Sequence, residues 1–220
     1  MSTLARAALL LVDLQIDFLP GGALAVAGGD AILEPIRRLA ASGVFPLVIA
    51  TQDWHPRGHV SFASSHPGRK PFDTISLHGE PQVLWPDHCI AGSAGAALHP
   101  SVPSEAIRAI VRKGTDRDAD SYSGFRDNPN SARERRPTGL RGFLTECGVR
   151  DVYVCGLARD YCVSWTALDA ADLGFTTTVL WDLTRPVSAA HDAHTGRCLR
   201  AHGVSSVQSS TLVSAPEESG

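Results

Sequence analysis

Six short strand candidates, most separated by stretches with helical patterning, limit the possible fold more than any other feature of this chain. Residues 7–12 read Ala-Ala-Leu-Leu-Leu-Val without a polar break and end at Asp13, and further candidates lie at 47–50, 106–111, 152–155, 176–180 and 204–207. A strand with one wet face alternates apolar and polar residues, whereas a strand covered on both faces reads as a continuous apolar run. Between the runs, Ile32, Leu33, Ile36, Leu39 and Ala40 recur at helical spacing over 30–41, and Gly43 stops that helix. Further amphipathic helices are expected over 140–147, 160–173 and 189–202. Strands alternating with helices imply right-handed crossovers, hence an α/β fold: a doubly wound, mainly parallel six-stranded sheet with helices on both faces. A single domain over 1–213 is expected, without internal repeat or linker, and residues 214–220 read as a frayed tail.

Bulk properties exclude some functions. The formal charge of −3 on 220 residues gives no reason to expect nucleic acid or an anionic membrane as partner. The five cysteines, at 89, 147, 155, 162 and 198, are odd in number and form no CxxC pair. Together with the lack of a signal-peptide pattern, this points to free thiols in a reducing, cytoplasmic setting. The first apolar run is interrupted by Asp13 and Asp17 and is too short to span a bilayer.

Two irregular stretches, 54–103 and 114–137, break the alternation and are rich in Gly, Pro, Ser, Asp and His. Loops this long inside a compact domain are usually either functional or disordered, and the metal-type residues gathered in the first favour function. The first holds Asp53-Trp54-His55-Pro56 at its start and Trp85-Pro86-Asp87-His88-Cys89 some thirty residues on. Asp53 and His55 alternate, so in extended backbone both side chains point to one side and can grip one ion. His88 would complete the site from the second loop, and His59 or Ser61 could supply another direct or water-mediated contact. Imidazole nitrogen and carboxylate oxygen suit one divalent ion, Zn²⁺ first, with Fe²⁺ or Mn²⁺ also compatible. The competing reading is a set of loop histidines that only hydrogen-bond at the surface.

Ligands of open parallel sheets bind outside the carboxyl ends of the strands. Asp13, Asp53, Lys113 and Cys162 all fall there, although only apolar runs placed the strands. Cys162 lies near the first turn of a helix expected to begin at Asp160, where the helix end and a nearby lysine would favour the thiolate. A buried, inert cysteine is the plainer alternative. Asp13 and Lys113 could form a structural salt bridge, or a carboxylate and an ammonium could serve the thiol as proton carrier and electrostatic partner. The glycine pairs Gly21-Gly22 and Gly28-Gly29 lack the GxGxxG spacing of a dinucleotide-binding turn.

Taken together, these segments resemble the nicotinamidase branch of the isochorismatase-like cysteine hydrolase superfamily. The resemblance rests on Leu11-Val12-Asp13-Leu14-Gln15-Ile16-Asp17-Phe18, Thr51-Gln52-Asp53-Trp54-His55-Pro56, Trp85-Pro86-Asp87-His88-Cys89, Val111-Arg112-Lys113-Gly114, Ser121-Tyr122-Ser123-Gly124-Phe125 and Asp160-Tyr161-Cys162-Val163. It runs in order from about residue 7 to 210. It implies a catalytic triad of Asp13, Lys113 and Cys162, and metal ligands Asp53, His55 and His88. It implies further that Phe18 and Trp85 flank a pyridine ring, with Tyr122 near the pocket. A cis peptide before Ala158 is also implied, aiming the N–H groups of Ala158 and Cys162 into an oxyanion hole. The implied reaction is hydrolysis of nicotinamide to nicotinate and ammonia in NAD salvage, with nicotinamide as the small-molecule partner and a homo-oligomer left open. Arg159 departs from the pattern, where a small residue or threonine is expected. Its side chain would either point to solvent or narrow the pocket and alter substrate choice. Rival readings are an amide hydrolase acting on another small substrate, a non-catalytic binding module on the same fold, and a thiol redox protein.

Overall fold

β1 (Ala7–Val12) is buried along its whole length and pairs with a strand on each side, so it lies inside the sheet. In the computed structural model, which describes residues 4–213, it lies in a six-stranded sheet with α1 (Leu33–Ala41) leading to β2 (Leu47–Asp53). A small separate hairpin, β3 (Thr74–Leu77) and β4 (Glu80–Val83), comes next. β5 (Ala109–Lys113), α2 (Leu140–Glu146), β6 (Asp151–Leu157), α3 (Ser164–Asp172), β7 (Thr176–Arg185), α4 (Asp192–Ala201), β8 (Ser205–Val207) and the short α5 (Ser210–Val213) follow. The main sheet runs β5-β2-β1-β6-β7-β8, and every pairing in it is parallel. The doubly wound α/β sheet read from the apolar runs is the one observed.

Period-two alternation sorts β1 between the two faces. Ala7, Leu9 and Leu11 join the layer of Leu33, Ile36, Leu39 and Ala40 from α1. Ala8, Leu10 and Val12 join the opposite layer with Leu140 and Leu144 of α2, Ala167 and Ala170 of α3, and Leu199 of α4. Each fully buried leucine contributes about 1.5–3 kcal/mol of transfer free energy, so slipping β1 by one residue would exchange both layers at once. Gly156 fixes the same register from the β6 side. Its φ is +116°, and a Cβ there would lie 2.1 Å from the Val12 carbonyl oxygen, so only glycine fits.

The boundaries shift where loops feed the strands. β2 extends to Asp53, three residues beyond the apolar run, and β5 covers Ala109–Lys113 in place of 106–111. The hairpin β3–β4 lies inside the stretch read as irregular. Before α3, residues Arg159–Val163 form a wider π-helical turn, so Cys162 precedes the regular helix. Among the described residues no helix is long and apolar enough to cross a membrane. The expected frayed tail, 214–220, lies outside the described residues.

Candidate active site

The chain reverses its direction of travel across the sheet at β1. β2 and β5 build outward on one side, and β6, β7 and β8 on the other. Such a switch leaves a crevice at the carboxyl ends of β1 and its neighbours. Asp13 sits there, one residue past β1, with a φ of +49° that turns the chain sharply. Asp53 and Lys113 are register partners at the ends of β2 and β5. Ladder geometry, with no help from loops, therefore brings these charges together.

Lys113 is 1% exposed and lies at the hub. Its Nζ is 3.0 Å from Asp13 Oδ2, 3.4 Å from Cys162 Sγ and 3.0 Å from the Ser121 carbonyl oxygen, and it also donates to Asp53 Oδ1. Asp13 Oδ1 accepts a 2.6 Å hydrogen bond from Thr51 Oγ1. Burial disfavours charge on Lys113, but Asp13 and Asp53 overcome this and hold its pKa well above the ordinary lysine range. Burial also governs Asp13, raising its pKa against the pull of Lys113.

The titration of Cys162 runs opposite to the sequence expectation. Its thiol is pushed well above the ordinary range, first by burial and then by Asp13 and Asp53, and Lys113 offsets this only in part. The lysine is shared among three anionic or potentially anionic groups, so its charge is not free to draw out the thiolate. The resting thiol therefore keeps its proton, and the group that removes it must be close by.

The imidazoles are oriented from behind. His55 Nδ1 lies 3.0 Å from the Gly114 carbonyl oxygen, and His88 Nδ1 lies 2.8 Å from that of Pro86. A carbonyl only accepts, so both Nδ1 atoms carry hydrogen, and each Nε2 has a lone pair to offer whenever its ring is neutral. Those Nε2 atoms stand 3.6 Å (His55) and 4.0 Å (His88) from Asp53 Oδ2. Burial, then the neighbouring His55, lowers the His88 pKa to about 4, which leaves it neutral at pH 7. Burial raises the Asp53 pKa, but Lys113, His55 and His88 together hold its carboxyl well below the carboxylate range. Burial lowers the His55 pKa, but Asp53 outweighs it and holds that ring above the ordinary histidine value, so an incoming cation would have to displace its Nε2 proton. Two imidazole nitrogens and an ionised carboxylate, all within 4.8 Å of one another, fit a divalent ion. Gly114 permits this packing, since a Cβ there would lie 2.4 Å from His55 Cε1.

His59 and Ser61 are placed differently. His59 Nε2 faces the Ala119 carbonyl at 3.1 Å, and Nδ1 faces Ser61 Oγ at 2.8 Å. Both ring nitrogens are thus spent within the fold, although His59 also lies close to His55 and Asp120.

A small cleft opens beside these groups, and Phe18, Trp85, Tyr122, Asp53, His88, Ala158 and Cys162 all line it. The Leu157–Ala158 peptide is cis. Tyr161, Val187, Leu24 and Asp120 also line the cleft and were not singled out from sequence. Tyr161 packs edge-on to Trp85 with ring centroids 4.8 Å apart, and its place beside Cys162 was an available signal. Asp120 was lost among the acidic residues of 114–137, and nothing local distinguishes Val187.

Arg159 occupies neither of the two positions expected from sequence. It is 6% exposed, so it does not point to solvent, and it is absent from the cleft wall. It lies beneath β7 and α4, with its guanidinium 4.1 Å over the Trp181 ring.

With this fold, and with a thiol beside the topological switch, the protein falls in the class of hydrolases built on a doubly wound parallel sheet that take small molecules at the sheet rim. The chain belongs to the isochorismatase family, whose model, described as Isochorismatase domain, matches residues 7–209. It is 43% identical over 207 residues to a nicotinamidase of Acinetobacter baylyi, covering 94% of each chain. Its structure resembles that of a nicotinamidase/pyrazinamidase from Acinetobacter baumanii, with a TM-score of 0.88 and 44% identity over 94% of this chain and 98% of that one. A pyrazinamidase of Pyrococcus horikoshii, solved in complex with zinc, aligns with a TM-score of 0.73 and 32% identity over 92% and 99% of the two chains.

Proposed function

We propose that this protein is a metal-dependent cysteine amidohydrolase that converts nicotinamide to nicotinate and ammonia, a reaction that returns the pyridine ring to NAD synthesis. The observation that carries the reading is the position of Lys113 Nζ, 3.0 Å from Asp13 and 3.4 Å from Cys162, where Cys162 lines a cleft together with Asp53 and His88. The similarity to nicotinamidases supports the choice of substrate.

Asp53, His55 and His88 would hold the ion, and the zinc-bound relative supports zinc. When bound, the ion supplies a Lewis-acidic anchor for a ring nitrogen. Phe18, Trp85 and Tyr122 give the cleft the apolar walls that a flat heteroaromatic ring needs. Asp13 takes the Cys162 proton as the sulfur attacks the carboxamide carbon, forming the C–S bond and a tetrahedral oxyanion. The N–H groups of Ala158 and Cys162 are the donors assigned to that oxyanion. Collapse breaks the C–N bond, and the proton on Asp13 leaves with the nitrogen as ammonia. Asp13 then takes a proton from water as its oxygen attacks the thioester, and returns it to the sulfur as nicotinate departs.

The raised pKa of Asp13 suits this work, because a carboxyl lifted by burial holds a proton long enough to pass it on. Lys113 stays cationic throughout and steadies the negative charge as it moves between oxygen and sulfur. Ammonia release from nicotinamide by purified protein, before and after chelation, tests the reading. Turnover that falls on metal removal and returns on metal addition is expected. Metal-replete protein that releases no ammonia would remove nicotinamide as substrate, and undiminished turnover after verified removal would remove the ion's role.

A further inference from the structure

The unexpected residue beside the nucleophile turn grips a part of the cleft wall that it does not touch. Arg159 Nε donates to Thr184 Oγ1 at 2.7 Å, and Nη2 donates to the carbonyl oxygens of Thr184 (2.9 Å) and Trp181 (3.1 Å). Nη1 donates to Asp192 Oδ2 at 2.8 Å. A planar guanidinium presents its donors in a fixed fork, so these bonds hold together only when the end of β7 and the start of α4 keep one arrangement. The next residue holds the middle of the same segment. Asp160 accepts the N–H groups of Val187 (2.8 Å) and Ser188 (3.1 Å), and His191 Nδ1 lies 2.8 Å from its Oδ2. Residues 184–192 are therefore pinned at both ends through Arg159 and at the centre through Asp160. Val187, in that segment, faces the cleft together with Cys162.

We infer that Arg159 is a positioning residue for substrate selection: through Thr184, Trp181 and Asp192 it fixes how far the Val187 wall stands from Cys162, and so which ring substituents fit. The inference rests on the nicotinamide reading above. Arg159 touches neither the cleft nor the triad, so its loss should loosen discrimination and leave the chemical step largely intact. A well-fitted apolar wall rejects or favours one methyl group by about tenfold or more, and a wall free to move forfeits part of that factor.

The test is the ratio of kcat/KM for nicotinamide to kcat/KM for a set of ring-methylated nicotinamides. It is measured in the wild type and in Arg159→Ala, Arg159→Lys and Asp192→Asn. A variant that only lowers the folded fraction scales both rates alike and leaves the ratio untouched. Arg159→Ala should reduce the ratio at least about threefold for one or more methyl positions, with KM for nicotinamide moving more than kcat. Arg159→Lys, with a single ammonium in place of the fork, should fall between alanine and wild type. Asp192→Asn, which keeps Arg159 and is expected to fold, should move the ratio the same way by less. If Arg159→Ala proves insoluble, the other two variants decide. Unchanged ratios across the soluble variants, beside an active wild type, overturn the inference and leave the enzyme assignment standing. A wild type that releases ammonia from none of these amides overturns both.

Discussion

The two halves of the site are held in place by different means. Asp13, Asp53 and Lys113 stand at strand ends, and sheet register sets their separation, with Asp53 directly opposite Lys113. His55 and His88 lie in the long stretch after β2, and each is aimed by one hydrogen bond to a backbone carbonyl. Moving the first group would require the sheet to slip, which would exchange both hydrophobic layers. The second group can be disturbed one residue at a time. The strand-end half should therefore lose its chemistry without losing structure, and the loop half should lose occupancy in steps.

Cys162→Ala removes the thiol that the strand-end charges surround and should have the largest effect. Removing the proposed nucleophile while its partners remain in place should lower kcat by about 10⁴-fold or more. The melting temperature should move by only a few degrees, since the change removes one sulfur atom from a site already 7% exposed. Residual turnover above a hundredth of wild type would show that the thiol near Lys113 is not the attacking group. His88→Ala probes the loop half. Asp53 and His55 remain, so bound metal per chain should fall, and activity should fall at least about 100-fold in metal-limited buffer. Millimolar metal should restore part of it. An alanine variant that keeps one tightly bound ion would show that His88 is not a ligand.

A smaller effect separates the charges within the strand-end half. The Cys162 pKa is raised in the folded protein, so the thiolate fraction near neutrality is below that of a free cysteine, and alkylation should still accelerate above pH 9. Asp13 is one cause of that rise, and removing its charge leaves the pull of Lys113 less opposed. In chelated protein, Asp13→Asn should therefore shift the iodoacetamide rate profile to lower pH while lowering amidase activity. A profile that stays put or moves upward would place Asp13 out of electrostatic reach of the sulfur.

This contrast also explains what could be read from the sequence. Ala7–Val12 announces a doubly covered strand, and once the strands are placed, Asp13, Asp53 and Lys113 fall on one rim with no further assumption. Asp53 and His55 were legible as a pair because their spacing alone puts them on one side. The hairpin β3–β4 was not legible, since each strand is four residues long, most of their positions are not buried, and Pro81 interrupts the second. Yet Gln82 on that hairpin donates to Asp120 at 2.6 Å and to the Tyr122 hydroxyl at 3.1 Å, bracing the cleft from outside. The direction of the Cys162 shift was also hidden. A helix start and a lysine are visible in sequence, but the depth of burial and the two carboxylates competing for that lysine are not. For Arg159, sequence supplied the anomaly without the partners, which lie 22 to 33 residues further along the chain.

The smallest expected effect lies at the outer edge of the loop half, where Phe72 supports Trp85. Phe72 is 59% exposed, packs edge-on to Trp85 with centroids 6.0 Å apart, and holds a φ of +72°. A bulky side chain in that region is disfavoured by about 1–2 kcal/mol, while an edge-on aromatic contact contributes about 0.5–1.5 kcal/mol beyond its buried area. Phe72→Ala loses the contact and keeps a Cβ at positive φ, so it should cost about 1 kcal/mol in denaturant unfolding. Phe72→Gly loses the same contact but relieves the backbone, so its stability should lie near that of wild type. KM for nicotinamide should rise by less than about threefold in both variants, and by the same factor, because only the ring contact bears on Trp85. If alanine and glycine were equally destabilising, backbone strain at residue 72 would be negligible. If KM rose tenfold or more, the outer loop would be as tightly coupled to the cleft as the strand ends, and the division between the two halves would fail.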